Sequence, residues 1–382
     1  MVMPISVKET RRSAPQIPEQ LLEAAERFAA PGRVADVQPH GSGNVHETFL
    51  VLRGRRDEAP FILQRLNTHV FRQPEMVMQN MHTVTEHILG RLHRIGLPAG
   101  RRWEVLRLLS TEEGKELWFD VDGRCWRALS FIPAAQPFET IRGGGDAEEV
   151  GYALGLFHRL ISDLPPQKLA DTLEGFHVTP RYLARYDAAL GRSHRPPSPE
   201  MAYALAFVNE RRAFAPVLEA ARAQGTLVVR PIHGDPKMNN IMIDPATRRA
   251  VSVIDLDTVK PGLVQYDIGD CLRSCCNPLG EETERWEEVR FEPDLCRPIL
   301  RGYLAWARAF LTPADCDFLF PAVRLIAFEL GLRFLTDYLE GNVYFKVRHR
   351  EHNLARAVVQ FKLTESIEAQ EGAIRAIIQD LL

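Results

Sequence analysis

Asp235, Asn240 and Asp255 are the residues of this 382-residue chain whose types and order could do chemistry. They fall within residues 231–270, where His233-Gly234-Asp235 leads to Asn240 and the apolar run 251–254 leads into Asp255. A carboxylate can take the proton of an attacking hydroxyl. An amide oxygen and a second carboxylate are hard donors of the kind magnesium combines with phosphate oxygens and water. Phosphoryl transfer asks little more of a protein than charge neutralised and oxygens aligned. The set therefore suits magnesium-assisted phosphoryl transfer, with Asp235 as base and Asn240 and Asp255 as metal ligands. His-Gly-Asp-x4-Asn alone could be a turn, since Asp and Asn are common there; the acids at 255 and 257 argue against that reading. His233 reads as an anchor of this loop, because Asp235 already supplies a base. Asp267 and Asp270 read as bonds to the loop or as the cap of a helix starting near Ile268. His158 falls on an apolar helical face and reads as a packed histidine.

The elements that must position these groups divide the chain in two. Residues 17–30 have helical spacing, closed by Gly32. Strand patterns follow at 34–38, after the glycine turn 41–43, and at 61–66. Residues 74–94 repeat apolar side chains at helical intervals. Two further strands are expected at 118–121 and 125–132. Pro133-Ala134-Ala135-Gln136-Pro137 is a stiff connector. Beyond it the pattern is helical at 148–161, 181–190, 202–223, 297–310 and 321–339, with short strands only on either side of Asp244. The expectation is an α+β protein: a sheet lobe over 1–132 and a larger helical lobe over 133–382.

Composition bounds the class. Apolar residues make up 45% and charged residues 25%, as in ordinary globular proteins. A net charge of −3 and the lack of a basic tract give no reason to expect nucleic acid. No stretch of about 18 apolar residues offers a membrane span, and the polar N-terminus has no signal-peptide core. A cytoplasmic protein without an obligate protein partner is expected. The six cysteines have no zinc-type spacing and read as buried thiols.

His233-Gly234-Asp235-x4-Asn240 followed by Ile254-Asp255-Leu256-Asp257 resembles the aminoglycoside phosphotransferase/choline kinase superfamily, which has the protein-kinase-like fold. Several stretches resemble the N-acetylhexosamine 1-kinases more closely: 41–49, 61–71, 235–244, 253–262, 267–274 and 333–345. The resemblance implies ATP and Mg2+ as cofactors. It implies Asp235 as base on a sugar hydroxyl, and Asn240 and Asp255 on magnesium with Asp257 beside them. Arg333 and Tyr344 would recognise the sugar. The backbone of Ser130, Phe131 and Ile132 would meet adenine, and Gly41, Ser42 and Gly43, with Asn44, would cover the phosphates. One departure stands out: Gln64 holds the third-strand place where kinases carry a phosphate-pairing lysine. Glu86, in the following helix, would then lack its usual partner.

The residues also bear on the acceptor. Aminoglycosides call for carboxylates, and choline for an aromatic cage. The C-terminal region instead carries Arg324, Arg333, Tyr344, Lys346, Arg348 and Arg350. If these point inward, they suit the hydroxyl and acetamido oxygens of a neutral sugar; the 348–352 run reads first as a solvated face and alternatively as the fringe of the substrate pocket. The leading expectation is a kinase of the anomeric hydroxyl of an N-acetylhexosamine. A kinase of another small alcohol or sugar, or an inactive nucleotide- or sugar-binding homologue, stays open.

Overall fold

The computed structural model describes residues 17–29, 33–41, 45–55, 57–138 and 141–382. Gly32, Ser42, Gly43 and Asn44 lie outside the described residues. The chain forms two compact units: residues 1–70 with 108–131, and residues 71–107 with 132–382. It is an α+β protein, as its sequence pattern implies.

The first unit is an antiparallel sheet with one helix. Strands β1 (Val34–Pro39), β2 (Glu47–Arg53), β3 (Phe61–Arg65), β4 (Leu108–Leu109), β5 (Trp118–Phe119) and β6 (Cys125–Ser130) run in the order β1-β2-β3-β6-β4, with β5 also on β6. Side chains alternate between faces along each strand. One face carries Val37, Val51, Phe61, Leu63, Trp126 and Ala128, which pack with Ala24, Ala25 and Phe28 of helix α1 (Glu19–Arg27) and its end. The opposite face carries two cross-strand rows: Leu50, Ile62 and Leu129, then Thr48, Gln64 and Arg127.

The second unit is mostly helical. It begins with α2 (Pro74–Ile95), followed by α3 (Gly144–Ile161), α4 (Thr179–Leu190), α5 (Pro199–Arg211), α6 (Val217–Ala223) and α7 (Val264–Cys275). Then come α8 (Pro293–Ala307), α9 (Pro313–Asp317), α10 (Leu319–Glu340), α11 (His352–Ala369) and α12 (Glu371–Leu381). Short strands β7 (Gln136–Pro137), β9 (Ile241–Ile243) and β10 (Ala250–Val253) form one sheet, and β8 (Arg230–Ile232) pairs with β11 (Lys260–Gly262). Apolar α10 is packed on both sides, by α7 and by α11, and its core includes Phe328 beside Phe207 and Phe361. Helices α3 and α8 cross at backbone contact. A Cβ on Gly151 would lie 1.9 Å from the Ile299 carbonyl oxygen, and one on Gly302 2.1 Å from that of Glu148.

Several elements differ from the sequence pattern. The helix expected over 202–223 is broken into α5, a 3-10 turn and α6, with Pro216 at the start of α6, where its missing N–H costs nothing. Helix α7 starts at Val264, so Asp267 lies in its first turn and is not its cap. Strands β7, β8 and β11 are too short to show alternation. Segment 71–107, with Trp103, groups with the second unit. There Asn80 of α2 donates to the Ala170 and Val259 carbonyls, at 2.8 and 2.9 Å, and accepts from the Ala170 N–H. Glu86 is exposed on α2.

Candidate functional site

The loop between β8 and β9 carries Asp235, and buried polar groups hold it from three sides. Gly234 has φ +89°, and a Cβ there would lie 2.6 Å from the Thr258 carbonyl oxygen, so only glycine fits. Below it, Asp267 accepts from the His233 and Gly234 N–H groups at 2.6 and 2.9 Å. His158 bonds the same carboxylate at 2.8 Å and meets Tyr303 Oη through its other nitrogen. Burial pushes the Asp267 carboxyl up, but His158, His233 and the loop N–H groups outweigh it and hold it below its usual value. His158 is packed and satisfied, as its position on the helix implies.

From a second side, His177 Nε2 donates to the Gly234 carbonyl at 2.8 Å, and its Nδ1 faces Glu329 Oε1 at 2.9 Å. Both ring nitrogens face acceptors, so the ring is cationic. Burial works against that charge; the carboxylate of Glu329 outweighs it and raises the His177 pKa. Thr179 Oγ1 donates to the other Glu329 oxygen.

Third, His233 Nε2 donates to the Ile254 carbonyl, and its Nδ1 accepts from the Asp235 N–H. That ring is committed to the backbone, which makes His233 an anchor and not a proton carrier.

Asp235 Oδ2 accepts from Lys237 Nζ at 2.7 Å. Oδ1 accepts no hydrogen bond from any described residue, which leaves it to take a proton. Burial opposes the Lys237 charge, but Asp235, with Asp255 and Asp270, outweighs it and holds the ammonium above its usual pKa. Lys237 is a functional candidate missed from the sequence. Its signal was its place two residues after Asp235.

Asn240 Nδ2 donates to the Asp235 carbonyl at 2.8 Å, which turns Oδ1 away from that bond. The Ile254 N–H donates to the Asn240 carbonyl, tying the loop to the strand end before Asp255. Asp255 has φ +65°, a left-handed conformation that Asp tolerates better than most residues. Asp257 is buried in the 3-10 turn that follows. Among the described residues no three His, Cys, Asp or Glu side chains converge as a metal cage. An amide oxygen with one or two carboxylates is instead a sparse, hard donor set. That set fits magnesium, which completes its shell with phosphate and water.

Arg333 lies on α10 one turn beyond Glu329. Its guanidinium is 5.0 Å from the Phe176 ring centre, 5.2 Å from Tyr182 and 5.6 Å from Phe345. It makes no hydrogen bond or ion pair with any described residue. One turn further, Asp337 accepts from the Val343, Tyr344 and Phe345 N–H groups, fixing the segment that carries Tyr344. Tyr344 is exposed and edges onto Phe345. The other expected pocket arginines differ. Arg324 bonds Glu368 at 2.7 Å and covers Phe214, while Lys346, Arg348 and Arg350 are exposed. His352 is buried and bonded to Glu282.

The first unit places the remaining candidates. Gly41 has φ +73° beyond β1. Gln64 is on β3, with its amide engaged by Thr48 and Arg127. Ser130 ends β6, and Phe131 meets the His40 ring edge-on at 6.3 Å. Ile132, which belongs to the second unit, is buried there with Leu106, Met242 and Val251. All six cysteines are buried free thiols. No described helix is long and apolar enough to cross a membrane.

A model of the phosphotransferase enzyme family matches residues 36–309. Among solved structures, a microcompartment-associated aminopropanol kinase is similar at TM-score 0.60 and 18% identity, over 92% of this chain and 97% of that one. An ethanolamine kinase from Plasmodium vivax is similar at 0.55 and 12%, over 89% and 86%. A spectinomycin phosphotransferase bound to ADP and spectinomycin is similar at 0.54 and 14%, over 92% and 100%. At these identities the likeness is one of fold, and that fold is the protein-kinase-like one.

Proposed function

This chain belongs to the phosphotransferase enzyme family, and on that premise we propose that it is an ATP- and magnesium-dependent kinase of a neutral sugar. The acceptor we assign is the anomeric hydroxyl of an N-acetylhexosamine, giving the sugar 1-phosphate. Asp235 Oδ1 takes the proton of the attacking hydroxyl. Lys237 holds the other carboxylate oxygen and keeps the base oriented. Asn240 Oδ1 and the carboxylates of Asp255 and Asp257 would hold magnesium, which neutralises phosphate charge. The backbone of Ser130, Phe131 and Ile132 would meet adenine, and Gly41 would lie by the phosphates. Tyr344 would border the sugar.

Arg333 carries the choice of acceptor. An aromatic box recognises cationic alcohols by receiving their ammonium. Here the rings of Phe176, Tyr182 and Phe345 already face the protein's own cation. A choline-, ethanolamine- or aminoglycoside-like acceptor would bring a second positive charge against Arg333. A neutral sugar instead offers hydroxyl and acetamido oxygens to its unused N–H groups. ADP release should be measured with magnesium-ATP and each of N-acetylglucosamine, N-acetylgalactosamine, choline, ethanolamine and an aminoglycoside. The proposal expects turnover with an N-acetylhexosamine and none with the amines; turnover confined to an amine would overturn it.

A further inference from the structure

Beside Arg333 stands a second polar group, the Tyr182 hydroxyl, which the site described above leaves unused. Helices α4 and α10 pack side by side and run in the same direction. Thr179 bonds Glu329, Tyr182 meets Arg333 one turn on, and Arg185 bonds Glu340 further along. Residues three apart share a helix face, so the step from Thr179 sets Tyr182 toward α10. The Tyr182 oxygen lies beside the His177 N–H, which leaves its own proton as the free end. Burial pushes the phenol up to about 12, so the proton stays on and the group is a donor. It donates to no described residue.

Arg333 is the other donor. Burial opposes its charge, and Tyr182, Tyr344, Glu329 and Asp235 together outweigh that cost. The two carboxylates among them balance the guanidinium through space without taking its N–H groups. A cation so balanced needs no anionic ligand; it needs an oxygen to accept from it. The walls are aromatic. Phe176, Tyr182 and Phe345 face the guanidinium and are half-buried, so part of each ring stays open. His177 backs Phe176 at 4.1 Å, and Phe334 backs Phe345 at 4.6 Å. Two donors among aromatic faces fit a carbonyl oxygen with an apolar flank. A hydroxyl fits worse, because it brings a proton of its own. The Glu329 and Asp337 carboxylates are already bonded to His177, Thr179 and the Val343, Tyr344 and Phe345 N–H groups. Asp235 acts on Arg333, so the carbonyl belongs close to the attacked hydroxyl. An acetamido group on the carbon next to the anomeric one meets that condition.

We infer that Tyr182 and Arg333 form a two-donor subsite for the acetamido carbonyl of the acceptor, with Phe176 and Phe345 against its methyl group. Tyr182 is thereby a specificity-determining residue, and the acyl group is what the enzyme selects. The assignment rests on the sugar-kinase reading above and deepens it.

Steady-state kinetics with magnesium-ATP and glucose, N-formylglucosamine or N-acetylglucosamine test it. Glucose has no carbonyl at that carbon, and the formyl compound has the carbonyl without the methyl. In wild type kcat/KM should climb in that order. The carbonyl should bring roughly tenfold or more, the scale of charged hydrogen bonds. The methyl should add roughly fourfold, the worth of one buried carbon. Tyr182→Phe keeps the ring and removes one donor. It should lower the ratio of kcat/KM for N-acetylglucosamine over glucose by roughly three- to tenfold, the scale of one neutral hydrogen bond. A fall of equal size for both sugars, or no fall, takes Tyr182 out of the subsite and overturns the assignment. If Tyr182→Phe does not fold, the wild-type series decides: a flat series overturns the assignment and leaves the sugar-kinase reading intact. Wild-type protein that turns over no hexose would instead remove that reading, and this assignment with it.

Discussion

At the scale of single residues, the account places the acid–base work on Asp235 and acceptor choice on Arg333. Asp235→Asn keeps the shape and removes the proton acceptor. It should lower kcat by about 10²–10⁴-fold, the usual range for a general base, with ADP affinity nearly unchanged. Unaltered turnover would take Asp235 out of that role. Arg333→Ala removes donors that would meet only the acceptor. It should raise the sugar KM by about ten- to a hundredfold, as for charged hydrogen bonds, while the KM for ATP stays within a few-fold. An equal rise in both would mean that Arg333 supports the fold or the phosphates. The acids and amide of this loop were legible in the sequence because their chemistry demands fixed types at fixed spacing. Lys237, His177 and the rings around Arg333 were not. His177 and Phe176 lie far from the loop in the chain, and only folding brings them to it.

At the scale of elements, α10 is the ruler of the site. Glu329, Arg333 and Asp337 are four residues apart, so they line one face at about 6 Å intervals. The first holds the Asp235 loop through His177, the second faces the aromatic rings, and the third fixes the Tyr344 segment. The apolar pattern of this helix was readable over 321–339, but not that its three inward polar groups act in register. The His177–Glu329 pair gives a pH signature. The folded-state pKa of His177 is raised above the ordinary 6.5. The pair's stabilisation is therefore complete below about pH 6.5 and fades as pH climbs through the folded value. Breaking a buried pair costs about 3–5 kcal/mol, so Glu329→Gln should lower Tm clearly at pH 6. That gap should narrow toward pH 9 in thermal melts; a gap that widens with pH would contradict the assignment. The crossing of α3 and α8 gives a second test. Gly302→Ala drives a methyl into the Glu148 carbonyl, where only backbone can give way. The expected loss is about 1–3 kcal/mol, read as a lower Tm. An unchanged melt would mean the helices are not in backbone contact.

At the scale of the whole molecule, the sequence pattern separates a strand-rich part from a helical one because strand and helix periods differ. It misplaces 71–107, since a helix next to strands in sequence need not pack with them. The family model makes the chain a phosphotransferase, and the likeness to solved structures gives it the protein-kinase-like fold. Acceptor identity is a finer property than fold, and solved structures this distant do not carry it. It rests on a few side chains around Asp235, and the central claim is that those side chains present a neutral sugar's anomeric hydroxyl to the base. The most direct test is nuclear magnetic resonance of the product formed from N-acetylglucosamine or N-acetylgalactosamine with magnesium-ATP. Phosphorus coupled to the anomeric proton, and so phosphate on C1, is the predicted result. Phosphate on C6, or product only from an amino alcohol, would contradict the account.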